Sequence, residues 1–115
     1  MKRILVCGGR DYTDQRRVFE ILDKALDAFK EVFIIQGGAN GADLCAKMWA
    51  ESRGIKYDEY PADWAKLGKR AGFVRNVQML NEGKPDLVIA FPGGKGTRMM
   101  IDLANKANVN VREIK

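Results

Sequence analysis

Leu87-Val88-Ile89-Ala90-Phe91-Pro92-Gly93-Gly94-Lys95-Gly96-Thr97 runs from an apolar segment into a glycine-rich turn and then into a helical pattern. A short, uninterrupted apolar run suits a strand buried on both faces, as in the middle of a parallel sheet. The same order occurs twice earlier: Ile4-Leu5-Val6-Cys7 stops at Gly8-Gly9, and Val32-Phe33-Ile34-Ile35-Gln36 stops at Gly37-Gly38. If the three runs are neighbouring parallel strands, the three glycine turns share the sheet edge at which open α/β proteins bind ligands.

Working outward, residues 3–7, 32–36, 56–60, 87–91 and 109–114 read as strands. Helical spacing of Val18, Ile21, Leu22, Ala25, Leu26 and Phe29 predicts a helix over 14–29, with Thr13 or Asp14 as N-cap. A second helix over 41–53 turns Ala42, Cys45, Ala46 and Trp49 inward and ends at Gly54. A third over 69–82 is expected to bury Phe73, Val74, Val77 and Leu80, and a fourth over 97–107 to bury Met100, Leu103, Ala104 and Ala107. The order βαβαβαβαβ predicts an α/β fold: a single Rossmann-like domain over residues 1–115, with a five-stranded, mainly parallel sheet and helices on both faces. The more polar third and fifth strands suit its edges.

A chain of 115 residues fits one domain, and 46% hydrophobic with 30% charged residues is ordinary for a globular protein. No stretch reaches the roughly 20 apolar residues of a membrane helix, and the N-terminal apolar run is too short for a signal peptide. A cytoplasmic protein with no membrane partner is expected, with Cys7 and Cys45 reduced and buried. Two thiols without any histidine make no ordinary zinc site, and neither a metal nor a cofactor is expected. The absence of histidine also leaves any catalysis to carboxylates, Arg, Lys, Tyr or water. A net charge of +5 favours anionic partners, nucleotides and nucleic acids alike.

The loops supply the candidate ligand-binding residues. Pro92, Gly93, Gly94, Gly96 and Thr97 would expose backbone N–H groups at a helix N-terminus, where the dipole also favours an anion. Gly37, Gly38, Ala39, Gly41 and Asp43 repeat that arrangement, but match neither G-x-G-x-x-G nor the P-loop pattern, which argues against NAD and a Walker-type NTPase. The strand before them ends in Gln36 and so lacks the acidic residue that binds ribose in dinucleotide folds. Gly8, Gly9, Arg10 and Asp11 add a guanidinium, whose competing use is a surface pair with Asp11, and Tyr12 adds a ring for stacking. Asp63 and Trp64 follow the third strand, while Arg75 and Asn76 lie off the expected apolar face of the third helix.

Taken together, Gly-Gly-Arg-Asp-Tyr at 8–12, Gly-Gly-Ala-Asn-Gly-Ala-Asp at 37–43, Pro-Ala-Asp-Trp at 61–64, Gly-Phe-Val-Arg-Asn at 72–76 and Ala-Phe-Pro-Gly-Gly-Lys-Gly-Thr at 90–97 resemble the YspA-type branch of the SLOG superfamily. That superfamily includes the LOG phosphoribohydrolases, the Rossmann domain of the DNA-processing protein DprA, and nucleotide-sensing domains. The resemblance implies a Rossmann-like fold with a nucleotide-type small molecule at the glycine edge. It departs from the enzymatic LOG motif Pro-Gly-Gly-x-Gly-Thr-x-x-Glu at the last position, which is Met100 here. Arg75 corresponds to the LOG catalytic arginine only by its place on the preceding helix. If the chain cleaves an N-glycosidic bond, Arg75 with Asp63 or Asp11 would have to carry the reaction. Nucleic-acid binding ranks below both alternatives, because Lys2, Arg3, Arg16, Arg17, Lys84, Lys106 and Arg112 form no dense run. A homodimer is expected only by analogy with LOG-type relatives.

Overall fold

In a parallel strand successive side chains point to opposite faces, and this alternation divides the core in two. The computed structural model describes residues 1–115. In strand β1 (Lys2–Cys7), Ile4 and Val6 enter one apolar cluster while Leu5 and Cys7 enter the other. Strands β2 (Val32–Gln36), β3 (Tyr57–Glu59), β4 (Leu87–Ala90) and β5 (Asn110–Glu113) complete an all-parallel sheet in the order β3-β2-β1-β4-β5. The three apolar strands are central and the two polar ones lie at the edges, as their sequences imply.

Helices α1 (Gln15–Phe29) and α2 (Ala42–Arg53) cover one face, packing Val18, Leu22, Ala46 and Trp49 against Ile4, Val6 and Ile34. Asp14 caps α1 by accepting the Arg17 N–H at 3.0 Å, and Gly54 ends α2 in the left-handed conformation. Between the two helices, Trp49 Nε1 and the Arg53 guanidinium both donate to the Asp23 carboxylate, at 2.8–3.0 Å. The opposite face carries α4 (Ala71–Gly83) and α5 (Lys95–Lys106), preceded by the one-turn helix α3 (Trp64–Leu67) and a 3₁₀ turn at Gly68–Arg70. Met79, Met100, Ile101 and Ala104 meet Leu5, Ile35 and Val88 there. No helix is long and apolar enough to cross a membrane.

The expected inward face of the α4 segment needs correction. Ala71, Asn76, Met79 and Gly83 are its buried residues, whereas Phe73 is 52% exposed. Close approach turns the helix: a Cβ at Gly83 would lie 3.2 Å from Ile35, while Met79 enters the core and Leu80 packs against it part-buried. In α5, Ile101 joins Met100 and Ala104 in the core, and Ala107 lies exposed beyond the helix end.

Successive connections move from β1 through β2 to β3, and the chain then crosses back to β4 on the other side of β1. This reversal between β1 and β4 opens a crevice at the carboxyl ends of the strands, the usual ligand position in such sheets.

Candidate functional site

A cleft of about 710 Å³ occupies that crevice, within the range of small-molecule sites. Gly8, Gly9, Arg10 and Asp11 form one wall; Pro92, Gly93, Gly94, Gly96 and Thr97 form another; Ala39, Asp43, Trp64, Arg75 and Asn76 close it. Most of the site residues expected from the sequence therefore meet in one place. Cys7, at the end of β1, and Met79 and Met99 also line the cleft. Cys7 was legible only as the last residue before a glycine pair. Burial, with the neighbouring Asp43 charge adding to it, pushes its thiol up to about 12, so it is not a thiolate nucleophile.

The glycines do different work in the three turns. A Cβ at Gly8 would lie 2.6 Å from the Ala42 Cβ, and Gly41, at φ 78°, passes directly beneath the Gly9 and Arg10 backbone. These residues let the first two loops cross closely. Gly9 donates its N–H to Pro92 O at 2.9 Å, tying the first loop to the third. By contrast, a Cβ at Gly94 or Gly96 would meet nothing within 4 Å.

The loop after β4 presents free donors. Gly93, Gly94, Lys95, Gly96 and Thr97 give their N–H groups to no protein acceptor, as expected of a helix start with no side-chain cap. The loop after β2 is closed. Gly37 and Ala39 donate to Asp43 Oδ2 at 3.1 and 3.3 Å, and Gly38 donates to Gln36 Oε1 at 2.6 Å. Gly37 and Gly38 line a separate hollow of about 260 Å³ with Pro61 and Ala62, and Gly41 lines neither cavity. The expectation that the Gly37-Gly38 turn offers its amides to a phosphate is thereby corrected, because a carboxylate of the chain already holds that position.

Arg75 reaches back to this closed loop. Its Nη1 donates to Gly37 O at 2.7 Å and its Nε to Asn76 Oδ1 at 2.9 Å, while Asn76 Nδ2 donates to Gly96 O at 3.3 Å. Asn76 thus couples the Arg75 orientation to the first turn of α5. Burial lowers the Arg75 pKa from its ordinary value, with Asp43 opposing the shift and Arg10 adding to it. Burial also raises the Asp43 carboxyl to about 6, although the Ala39 and Gly37 N–H groups and Arg75 favour its ionised form.

Arg10 forms no ion pair with Asp11; its guanidinium stands 5.0 Å from the centre of the Trp64 ring. Trp64 in turn lies against Gly72, where a Cβ would be 3.4 Å from the indole. Tyr12 packs on Phe91, with ring centres 5.4 Å apart, which leaves it half-buried at the cleft wall. One sequence candidate for catalysis is placed unfavourably. Asp63 lines neither cavity and caps α3, accepting the Lys66 N–H at 3.1 Å. Met100 is wholly buried in the core, so the position of the LOG glutamate offers no group to the cleft.

A sequence model of the YspA, cpYpsA-related SLOG family matches residues 2–67, more than half of the chain. The chain belongs to that family. The matched part carries the first two glycine loops and the Pro61-Ala62-Asp63-Trp64 segment. A relative named Gene 61 protein, from Mycobacterium phage D29, is 35% identical over 119 aligned positions, covering 96% of this chain and 94% of the phage protein. Membership of the SLOG family points to a nucleotide-related function.

Proposed function

We propose that this SLOG domain binds a nucleotide or nucleotide-derived small molecule in the crevice between β1 and β4. The observation that carries this is the start of α5: unpartnered N–H groups, reinforced by the helix dipole, facing a cleft that also holds Arg10 and Arg75. Helices α1 and α3 are capped by carboxylates of the chain itself, Asp14 and Asp63, and in the loop before α2 Asp43 holds the Gly37 and Ala39 amides. A phosphate would rest on the α5 amides, the two guanidinium groups would balance its charge, and Trp64 would flank the base. N-glycosidic hydrolysis has weaker support, given the buried Met100 and the capping role of Asp63.

Gly94→Asp tests the site, because a Cβ at Gly94 meets no protein atom within 4 Å. The expected result is a folded variant with unchanged melting temperature in buffer and no stabilisation by nucleoside mono- or diphosphates. Wild-type protein at a ligand concentration of about one hundred times Kd should gain about 2.7 kcal/mol. Equal thermal shifts for the two proteins would overturn the assignment.

A further inference from the structure

Strand β2 ends in a residue that is not free to meet a ligand. Gln36 is fully buried, donates through Nε2 to Glu59 Oε1 at 2.9 Å and accepts the Gly38 N–H. The carboxylate absent from this strand is nevertheless present in space. Asp43, from the first turn of α2, folds back so that its Oδ2 holds the N–H of Gly37, the residue next after β2. The carboxylate therefore stands at the carboxyl end of β2, where dinucleotide-binding folds place the acidic group that receives ribose hydroxyls.

Its second oxygen is available. Asp43 is only 6% exposed and lines the main cleft, and both of its hydrogen bonds are to Oδ2. No fully buried side-chain oxygen of the protein lacks a partner, so Oδ1, which makes no hydrogen bond, keeps accessible surface on a residue that lines the cleft. Arg75 does not close it: no ion pair forms between the two residues, and Arg75 is directed to Gly37 O and Asn76. The β2 end and the β4 end are separated by one strand, β1, hence by about 10 Å. That is the scale of a nucleotide reaching from a phosphate on α5 to a ribose hydroxyl on Asp43.

We infer that Asp43 Oδ1 accepts hydrogen bonds from the ribose hydroxyls of the bound molecule, making the cleft selective for ribonucleotides over their deoxy counterparts. The inference rests on the nucleotide-binding proposal above and adds the sugar that the site selects.

Isothermal titration with ribonucleoside 5′-monophosphates and their 2′,3′-dideoxy counterparts tests it on wild-type protein. The ribo form should bind at least about tenfold more tightly, the effect of one charge-assisted hydrogen bond. Asp43→Asn keeps an acceptor for the loop amides and should bring the two affinities within about twofold while retaining phosphate-dependent binding. The wild-type ratio should also shrink as pH falls through about 6, when the carboxyl gains its proton. Titration of the phosphate cancels in the ratio because both ligands carry it. The groups around Asp43 are Arg75 from α4, Glu59 from β3, Cys7 from β1 and Arg10 from the following loop; the Cys7 thiol, pushed up to about 12, stays neutral across this pH range. Equal wild-type affinities for the two sugars would overturn the Asp43 assignment and leave nucleotide binding standing. Absence of binding by either sugar would overturn both.

Discussion

The loops after β2 and after β4 share a sequence pattern, an apolar strand, a glycine pair and a helix, yet they present opposite faces to a ligand. After β4 the amides of residues 93–97 have no acceptor and Gly94 and Gly96 stand open. After β2 the amides of residues 37–39 are all engaged, two of them by Asp43. One side chain makes the difference. The second position of α2 is Asp43 and that of α5 is Gly96, so one helix supplies its own anion and the other awaits one. Glycine at a strand end therefore marks close backbone approach, and only the neighbouring acceptors decide whether a ligand or the protein itself makes that approach.

The largest expected effect tests whether the loop after β2 is structural. Gly41→Ala forces a side chain to adopt φ 78° against the Gly9–Arg10 backbone and should cost about 3 kcal/mol or more in urea denaturation. A loss under about 1 kcal/mol would mean that the two loops can separate.

Next in size is the carboxylate that distinguishes the two loops. Because burial raises the Asp43 pKa from 3.8 to about 6, the folded state binds more protons than the unfolded one between these values. Its contribution to stability is then fully present below about pH 4 and is lost as pH rises through about 6. Asp43→Asn should accordingly be more stable than wild type at pH 7, by up to about 3 kcal/mol, with the gain vanishing near pH 4. Paired urea titrations at the two pH values measure this. A variant less stable at pH 7 would show that the loop hydrogen bonds outweigh the cost of burying the charge. A residue whose ionisation opposes folding is typical of a functional site.

The smallest expected effect lies in the loop after β4. Gly96 is in the first turn of α5 with open space beside it, so Gly96→Ala should raise thermal stability without ligand by about 0.5–1 kcal/mol. A loss instead would place Gly96 among the close-packed glycines and erase the contrast between the loops.

Much of this was legible in the chain. The apolar strands at 4–7, 32–36 and 87–90 are central because runs apolar on both faces can be buried only between two helical layers. Asp14 and Gly54 bound helices as their cap chemistry indicates. The α4 face was not legible, because periodicity weighs the size of apolar residues. The actual contact combines Ala71 and Gly83 with Met79, and Asn76 is buried because Arg75 and Gly96 satisfy its amide. Asp63 gave no sign of choosing a cap over the cleft, since Asp serves either use.

The sequence alone determined the alternation of strands and helices, the sheet edge at which the glycine turns gather and the mismatch with dinucleotide and P-loop patterns, all of which follow from local periodicity and spacing. Only the tertiary structure decided which amides are free, that Asp43 stands in for the carboxylate missing from β2, and that Arg75 is anchored on Gly37. These depend on contacts between residues six to thirty-eight positions apart, whose partners no local pattern specifies.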